Sequence, residues 1–202
     1  MPKISDEQWQ ERRRQILEAA WRCFYREGVQ ATTMEEIIAE SRMSASAMYR
    51  YFRGKEDIIL SAISASLGAL ATQMVPLLQG EDAPTPTDFI AKVLLTIERF
   101  SERDGYNLLP IAIHGWSEAQ RDERVRDLLR GFYLQFRAQF AARVVRWQKD
   151  GVVGTQGSPE EVAQSLQSVV LGYIVQTTIM RDVAVAGQAR GIAALMGVRF
   201  DG

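Results

Sequence analysis

The stretch from Ala31 to Lys55, ATTMEEIIAESRMSASAMYRYFRGK, constrains this chain more than any other segment. Thr33 followed by Glu36 is a capping-box start, and Ile37 and Ile38 supply an apolar face behind it. A second apolar run begins directly after Ser44, so two short helices joined by a tight turn are expected. Between Ser41 and Lys55 the charged groups are Arg42, Arg50, Arg53 and Lys55, four cations and no anion, interleaved with Tyr49, Tyr51 and Phe52. That is the pattern of a helix-turn-helix with a phosphate-facing rim.

Overall charge points the other way. The 202 residues carry a net charge of −1 and the pI is near 6.0, whereas a nucleic-acid-binding domain is expected above a pI of about 9. Residues 1–57 hold ten Lys and Arg against ten Asp and Glu. Their distribution is uneven, because the acids lie before Ser41 or at Glu56 and Asp57. Affinity for a polyanion depends on the cations that touch phosphates rather than on the total. A dimer would present the cationic stretch twice.

Little in the chain suggests catalysis. With one histidine, His114, and one cysteine, Cys23, neither a Cys/His zinc site nor a multi-histidine site can be assembled within the chain. Phosphate-loop, dinucleotide-binding and nucleophile-elbow motifs are absent from the sequence. No catalytic residue, metal ligand or cofactor is therefore predicted. The N-terminus lacks a signal pattern, and the nearest approach to a membrane span, Val169 to Met180, is broken by Gln176 and threonines. A cytoplasmic protein with no membrane partner is expected.

Taken in order, Asp6 to Arg26 reads as a helix with Ile16, Ala19, Ala20, Cys23 and Phe24 on one stripe and Gly28 as C-cap. Arg12, Arg13 and Arg14 read as a solvated face or as an extra phosphate contact. Met34 to Glu40 forms the second helix. Ser44 caps a third, whose first turn carries the small residues Ala45, Ser46 and Ala47 and so can approach a base edge or a phosphate closely. Gly54 ends it, and Lys55 opens a fourth helix that runs along Ile59, Ile63, Leu67, Leu70 and Met74 until Pro76.

Several of these elements agree in spacing with one family. Ala31-Thr32-Thr33 after Gly28, the Ile37-Ile38-Ala39 face, Ser44, the block Met48 to Phe52 and Lys55 to Ile59 together resemble the DNA-binding domain of tetracycline-repressor-like (TetR family) regulators, over about a quarter of the chain. The resemblance implies that Thr33, Tyr51 and Lys55 contact phosphates and that Ser44 to Tyr49 face the major groove. With Thr32, Arg42 and Arg50 these make the predicted DNA-binding set: Thr32, Thr33, Arg42, Ser44, Ala45, Ser46, Ala47, Tyr49, Arg50, Tyr51 and Lys55. Arg42 stands where the family usually has a turn glycine, and Ala47 where glycine is often seen. Arg42 adds a cation at a turn where positive φ is disfavoured for a side chain.

The remainder reads as a second all-helical region. Glu81 to Pro86 is expected to be a loop, Asp88 to Arg103 a helix closed by Gly105, and a short helix should follow Pro110 and end near Ala119. Asp122 to Lys149 is the longest helix, about 40 Å at 1.5 Å per residue. Ser158-Pro159-Glu160-Glu161 starts another, apolar nearly all round in its second half. Such a helix needs cover from a second copy of the chain, assisted by a short helix around Gln188 to Met196. The expected architecture is all-α: a three-helix DNA-binding domain over 1–56 and a ligand-binding and dimerisation domain over 57–202, with about nine helices.

A pocket between helices 4 to 8 is expected, with Tyr106, His114, Trp116, Tyr173, Gln176 and Met180 as candidate lining residues and an apolar or aromatic small molecule as effector. The primary expectation is a homodimeric repressor that leaves a palindromic double-stranded operator when the effector binds. The alternative is a small-molecule binding or scaffold protein of the same fold that does not read DNA. An enzyme is a third class, and His114 is the residue on which it would rest.

Overall fold

The structure, a computed structural model, describes residues 5–80 and 85–197. These residues form nine helices and a two-residue hairpin, divided into two compact units. Unit one comprises Met1–Leu67 and Glu102–Arg126; unit two comprises Gly68–Ser101 and Asp127–Gly202.

Unit one is built on α1 (Asp6–Glu27), α2 (Met34–Ser41), α3 (Ala45–Tyr51), the first part of α4 (Lys55–Gln79), the strands β1 (Glu102–Arg103) and β2 (Tyr106–Asn107), and α6 (Leu108–Glu118). Two of its helices start with reciprocal capping boxes, Ser5 with Gln8 and Thr33 with Glu36. The stripe Ile16, Ala19, Ala20, Cys23 and Phe24 is buried as its spacing requires, and Ile37, Met48, Phe52 and Ile58 complete the core around it. Trp21, Phe24 and Val29 meet Ile59 and Ile63 of α4 and Ile111, Gly115 and Glu118 of α6 around a void of only about 10 Å³. That is too small for more than one water.

Unit two holds the later part of α4, α5 (Pro86–Ser101), most of α7 (Glu123–Lys149), α8 (Pro159–Ile179) and α9 (Val185–Leu195). Its aromatic core is Phe89, Phe136, Phe140 and Trp147, with Phe89 edge-on to both Phe140 and Trp147 at 5.1 and 5.4 Å between ring centres. A charged side chain lies in that core. Arg143 is 4% exposed; it donates to the Leu77 carbonyl at 2.9 Å and lies 5.5 Å over the Phe89 ring. Leu77 is in the last turn of α4, whose carbonyls have no partner within the helix, so a cation there meets both an orphan acceptor and the negative end of the dipole.

The buried Gln167 of α8 is satisfied in a similar way, accepting from Arg137 and donating to the Tyr133 carbonyl. Tyr173 is fully buried and its hydroxyl donates to Glu98. Burial, then the Glu98 contact, push its phenol up to about 12. Since the ordinary value is about 10, the stability this adds is complete below pH 10 and is lost as pH rises through 12. In urea titrations, the midpoint of the unaltered chain should fall more steeply between those pH values than that of Tyr173→Phe.

Several boundaries differ from the sequence expectation. The fourth helix does not stop at Pro76 but continues through it to Gln79; proline removes one donor, and the Pro76 carbonyl still accepts from Gly80. Of the expected loop from Glu81 to Pro86, residues 81–84 lie outside the described residues, while Pro86 is the first residue of α5, with Thr85 accepting from the Asp88 amide. Gly105 does not cap a helix; with φ of +83° it turns the hairpin that pairs Glu102 with Asn107 and Arg103 with Tyr106. Asn107 then caps α6 two residues before Leu109, ahead of the expected start.

A further correction concerns α4. By length and composition alone its 25 residues suffice to cross a bilayer, although serines and Thr72 interrupt every apolar run. A helix tolerates such interruptions because the hydroxyl can bond its own backbone, as Thr72 does to the Gly68 carbonyl at 3.0 Å. Ile58, Ile59, Ala62 and Ile63 are buried in unit one and Met74 and Leu78 in unit two, while 28% of the helix's most apolar 18-residue window is buried.

Candidate nucleic-acid interface and effector cleft

The two helices α2 and α3 are held by local sequence. The Thr33 hydroxyl accepts from the Glu36 amide while the Glu36 carboxylate accepts from the Thr33 amide at 2.7 Å. Those bonds hold the Glu36 carboxyl below its ordinary value. Ser44 accepts from the Ala47 amide at 3.3 Å to start α3. Between them Arg42 adopts the left-handed conformation, φ 56° and ψ 30°, and its amide bonds the Ala39 carbonyl. The turn therefore keeps the geometry glycine would give, with an arginine in it.

Holding a side-chain residue left-handed costs about 1–2 kcal/mol, and glycine gives back part of that through its larger unfolded entropy, about 0.5–1 kcal/mol. Arg42→Gly should thus raise stability by about 0.5–1 kcal/mol in urea unfolding. The same change removes an exposed cation from the rim.

The predicted DNA-binding residues separate into two groups. Ser44, Ala45, Ser46, Tyr49, Arg50, Arg42 and Thr33 are exposed, and Ala47 is half-buried; Tyr49 has 54% of its surface in solvent. Thr32, Tyr51 and Lys55 are engaged within the unit. The Thr32 hydroxyl donates to the Gly28 carbonyl at 2.8 Å and the residue is 1% exposed. Tyr51 is buried with its ring 4.2 Å from that of Trp9. The Lys55 ammonium donates to the carbonyls of Gln30 and Thr32 at 2.8 and 2.9 Å, closing the loop between α1 and α2 onto the start of α4.

The arginine triplet of α1 divides as well. Arg12 bonds Gln15, and Arg14 pairs with Glu11 and Glu18 on the helix surface. Arg13 turns inward to the Tyr51 carbonyl and Ser61. Gln30, which the sequence did not single out, donates to the buried Glu118 of α6.

The six candidate effector residues divide between the two units. Tyr106, His114 and Trp116 belong to unit one, and Tyr173, Gln176 and Met180 to unit two. His114 is exposed, with Cε1 3.8 Å from where a Cβ on Gly28 would stand. Tyr173 is sealed in the core, Tyr106 is buried, and Met180 is exposed. Unit two carries a cleft of about 240 Å³ between the end of α4 and α7, lined by Ala71, Thr72, Val75, Leu78, Gln79, Phe132, Gln135, Phe136 and Gln139. Phe132 and Phe136 stack there at 5.3 Å and 25°, and no charged residue lines it. Among the described residues no group of three His, Cys, Asp or Glu is placed to hold a metal.

A capped pair of short helices at a glycine-type turn, with exposed cations and an exposed tyrosine on the second helix, defines a helix-turn-helix protein. Residues 16–62 match the family described as "Bacterial regulatory proteins, tetR family", and residues 111–196 match "BetI-type transcriptional repressor, C-terminal". The HTH-type transcriptional regulator BetI of Rhizobium meliloti is 31% identical over 133 residues, 64% of this chain and 61% of that protein. The HTH-type transcriptional regulator TtgR of Pseudomonas putida is 32% identical over 97 residues, 48% of this chain and 46% of that protein. The matched spans thus cover less than two thirds of either relative's length. A Saccharomonospora viridis structure solved in complex with choline shares the fold, with a TM-score of 0.76 at 22% identity over 93% of this chain and 96% of that one. The chain belongs to the tetR family of bacterial regulatory proteins.

Proposed function

We propose that the protein is a homodimeric, cytoplasmic, non-enzymatic transcriptional regulator that binds a palindromic DNA operator and leaves it when a small molecule binds. The observation that carries this reading is α3 itself: Ser44 caps it, small residues open it, Tyr49 and Arg50 stand exposed on it, and Arg42 before it and Arg53 after it are exposed too, with no carboxylate between Ser41 and Lys55. Residues 1–56 would read DNA and 57–202 would bind effector and partner. Support for the dimer comes from α8, where Val169, Leu171 and Val175 remain half-buried and Ile179 is 68% exposed.

The cleft beside Phe132 and Phe136 supports an uncharged, planar, hydrogen-bonding effector. Stacked rings offer an apolar slot, while Thr72, Gln79, Gln135 and Gln139 offer donors and acceptors without a net charge. A quaternary ammonium such as the choline of the Saccharomonospora viridis structure is recognised by aromatic faces. Here the faces of Phe89 and Trp147 already meet the chain's own cation, Arg143.

The test is a gel shift and footprint against genomic fragments. The expected result is one selected sequence with two half-sites about 34–36 Å apart and an affinity that falls steeply with salt. Binding that selects no sequence would instead favour a ligand-binding protein of the same fold.

A further inference from the structure

We propose that Arg13 is a positioning residue for operator recognition, one that sets the attitude of α3 without touching DNA; the proposal rests on the DNA-reading function above. Helix α3 has seven residues, two turns, too short to hold a fixed direction through its own hydrogen bonds. Its direction is therefore set by what grips its ends. At the N-terminus the grip is Ser44. At the C-terminus it is α1.

Arg13 lies 38 residues upstream of its partner, and its guanidinium makes three contacts that only a planar fork can make together. Nη1 donates to the Tyr51 carbonyl at 2.7 Å, an acceptor in the last turn of α3 that has no partner within the helix. Nη2 donates to the Ser61 hydroxyl on α4 at 3.3 Å. The face of the group lies 4.2 Å above the ring of Phe52, the residue that follows the helix. Trp9, four residues before Arg13 and so on the same side of α1, places its ring 4.2 Å from that of Tyr51. The end of α3 is thus clamped from below while Tyr49 and Arg50 point to solvent. A positive charge at a helix C-terminus is also favourable to the dipole. Base readout fails when a side chain is displaced by more than about 0.5 Å, so the clamp matters most for contacts that discriminate sequence.

Full-length Arg13→Ala and Arg13→Lys are measured against the selected operator and a random duplex, over a salt series. For Arg13→Ala the expected result is a rise in operator Kd of about tenfold or more, from loss of a hydrogen bond to a charged group. The random-duplex Kd should stay within about twofold and the salt slope should not change, because no phosphate contact is lost. Arg13→Lys keeps the charge but should recover less than half of the logarithmic loss. Three results overturn the proposal: unchanged operator affinity; both Kd values rising together with the salt slope reduced by about 0.9 and rescue by lysine, which makes Arg13 a phosphate ligand; or both rising by one factor that matches the loss of folded protein, which makes it merely structural. If Arg13→Ala does not fold, Ser61→Ala and Arg13→Lys carry the same comparison. Should the unaltered chain select no operator at all, it is the DNA-reading function that falls.

Discussion

Replacing Phe89 by alanine is expected to lower the stability of unit two by about 3–5 kcal/mol, the cost of a fully buried aromatic truncation. Phe89 has no exposed surface, and its ring is edge-on to Phe140 and Trp147, an arrangement that adds to simple burial. The truncation also takes away the ring beneath the Arg143 guanidinium. A buried cation then loses part of its surroundings without gaining solvent, which places the effect toward the upper end. Urea unfolding followed by far-ultraviolet circular dichroism measures it. Phe89→Leu keeps most of the volume and should cost much less; no loss at all for Phe89→Leu would mean that the ring geometry carries nothing, and equal losses for the two that the buried volume carries nothing.

Removing the Lys55 side chain should have the second largest effect. Hydrogen bonds from a charged group are worth about 1.5–3 kcal/mol, and Lys55 makes two, to the Gln30 and Thr32 carbonyls. Part of that site is solvated, so Lys55→Ala should cost about 2 kcal/mol of unit-one stability. Lys55→Met separates stem from charge: if it restores full stability, the two hydrogen bonds are not what holds the loop. Operator binding should weaken in both variants, since the start of α2 follows directly from Thr32.

Where the sequence was explicit, its signals were short-range. Thr33 with Glu36 and Ser158 with Glu161 close the capping boxes their spacing implies, and the buried stripe of α1 follows from period alone. Ser5 with Gln8 and Asp104-Gly105 were equally local and equally readable, the first as a helix start and the second as a hairpin. What could not be read was pairing across distance. Nothing in Arg12-Arg13-Arg14 distinguishes the middle arginine, because the carbonyl it meets is that of Tyr51. Residue type alone singles out Tyr173, yet its hydroxyl is spent on Glu98, 75 positions away, and nothing local marks Phe132 and Phe136 as a stacked pair that lines a cleft. Residue type says what a side chain can do, while its neighbours decide whether that capacity is still available.

Unit one is completed by chain that arrives late. Trp21, Phe24, Ile59 and Ile63 lean on Ile111 and Gly115 of α6, and Gln30 reaches Glu118; Ile111, Gly115 and Glu118 are all encoded after residue 101. A nascent chain released only as far as Leu67 has an uncovered apolar patch until the ribosome has delivered some fifty further residues, several seconds at about 5–20 residues per second. For protein engineering the same discontinuity sets the rule of exchange. A transplant of the proposed DNA-reading module into another regulator must carry α6 with it, or bring a host helix that offers the same face.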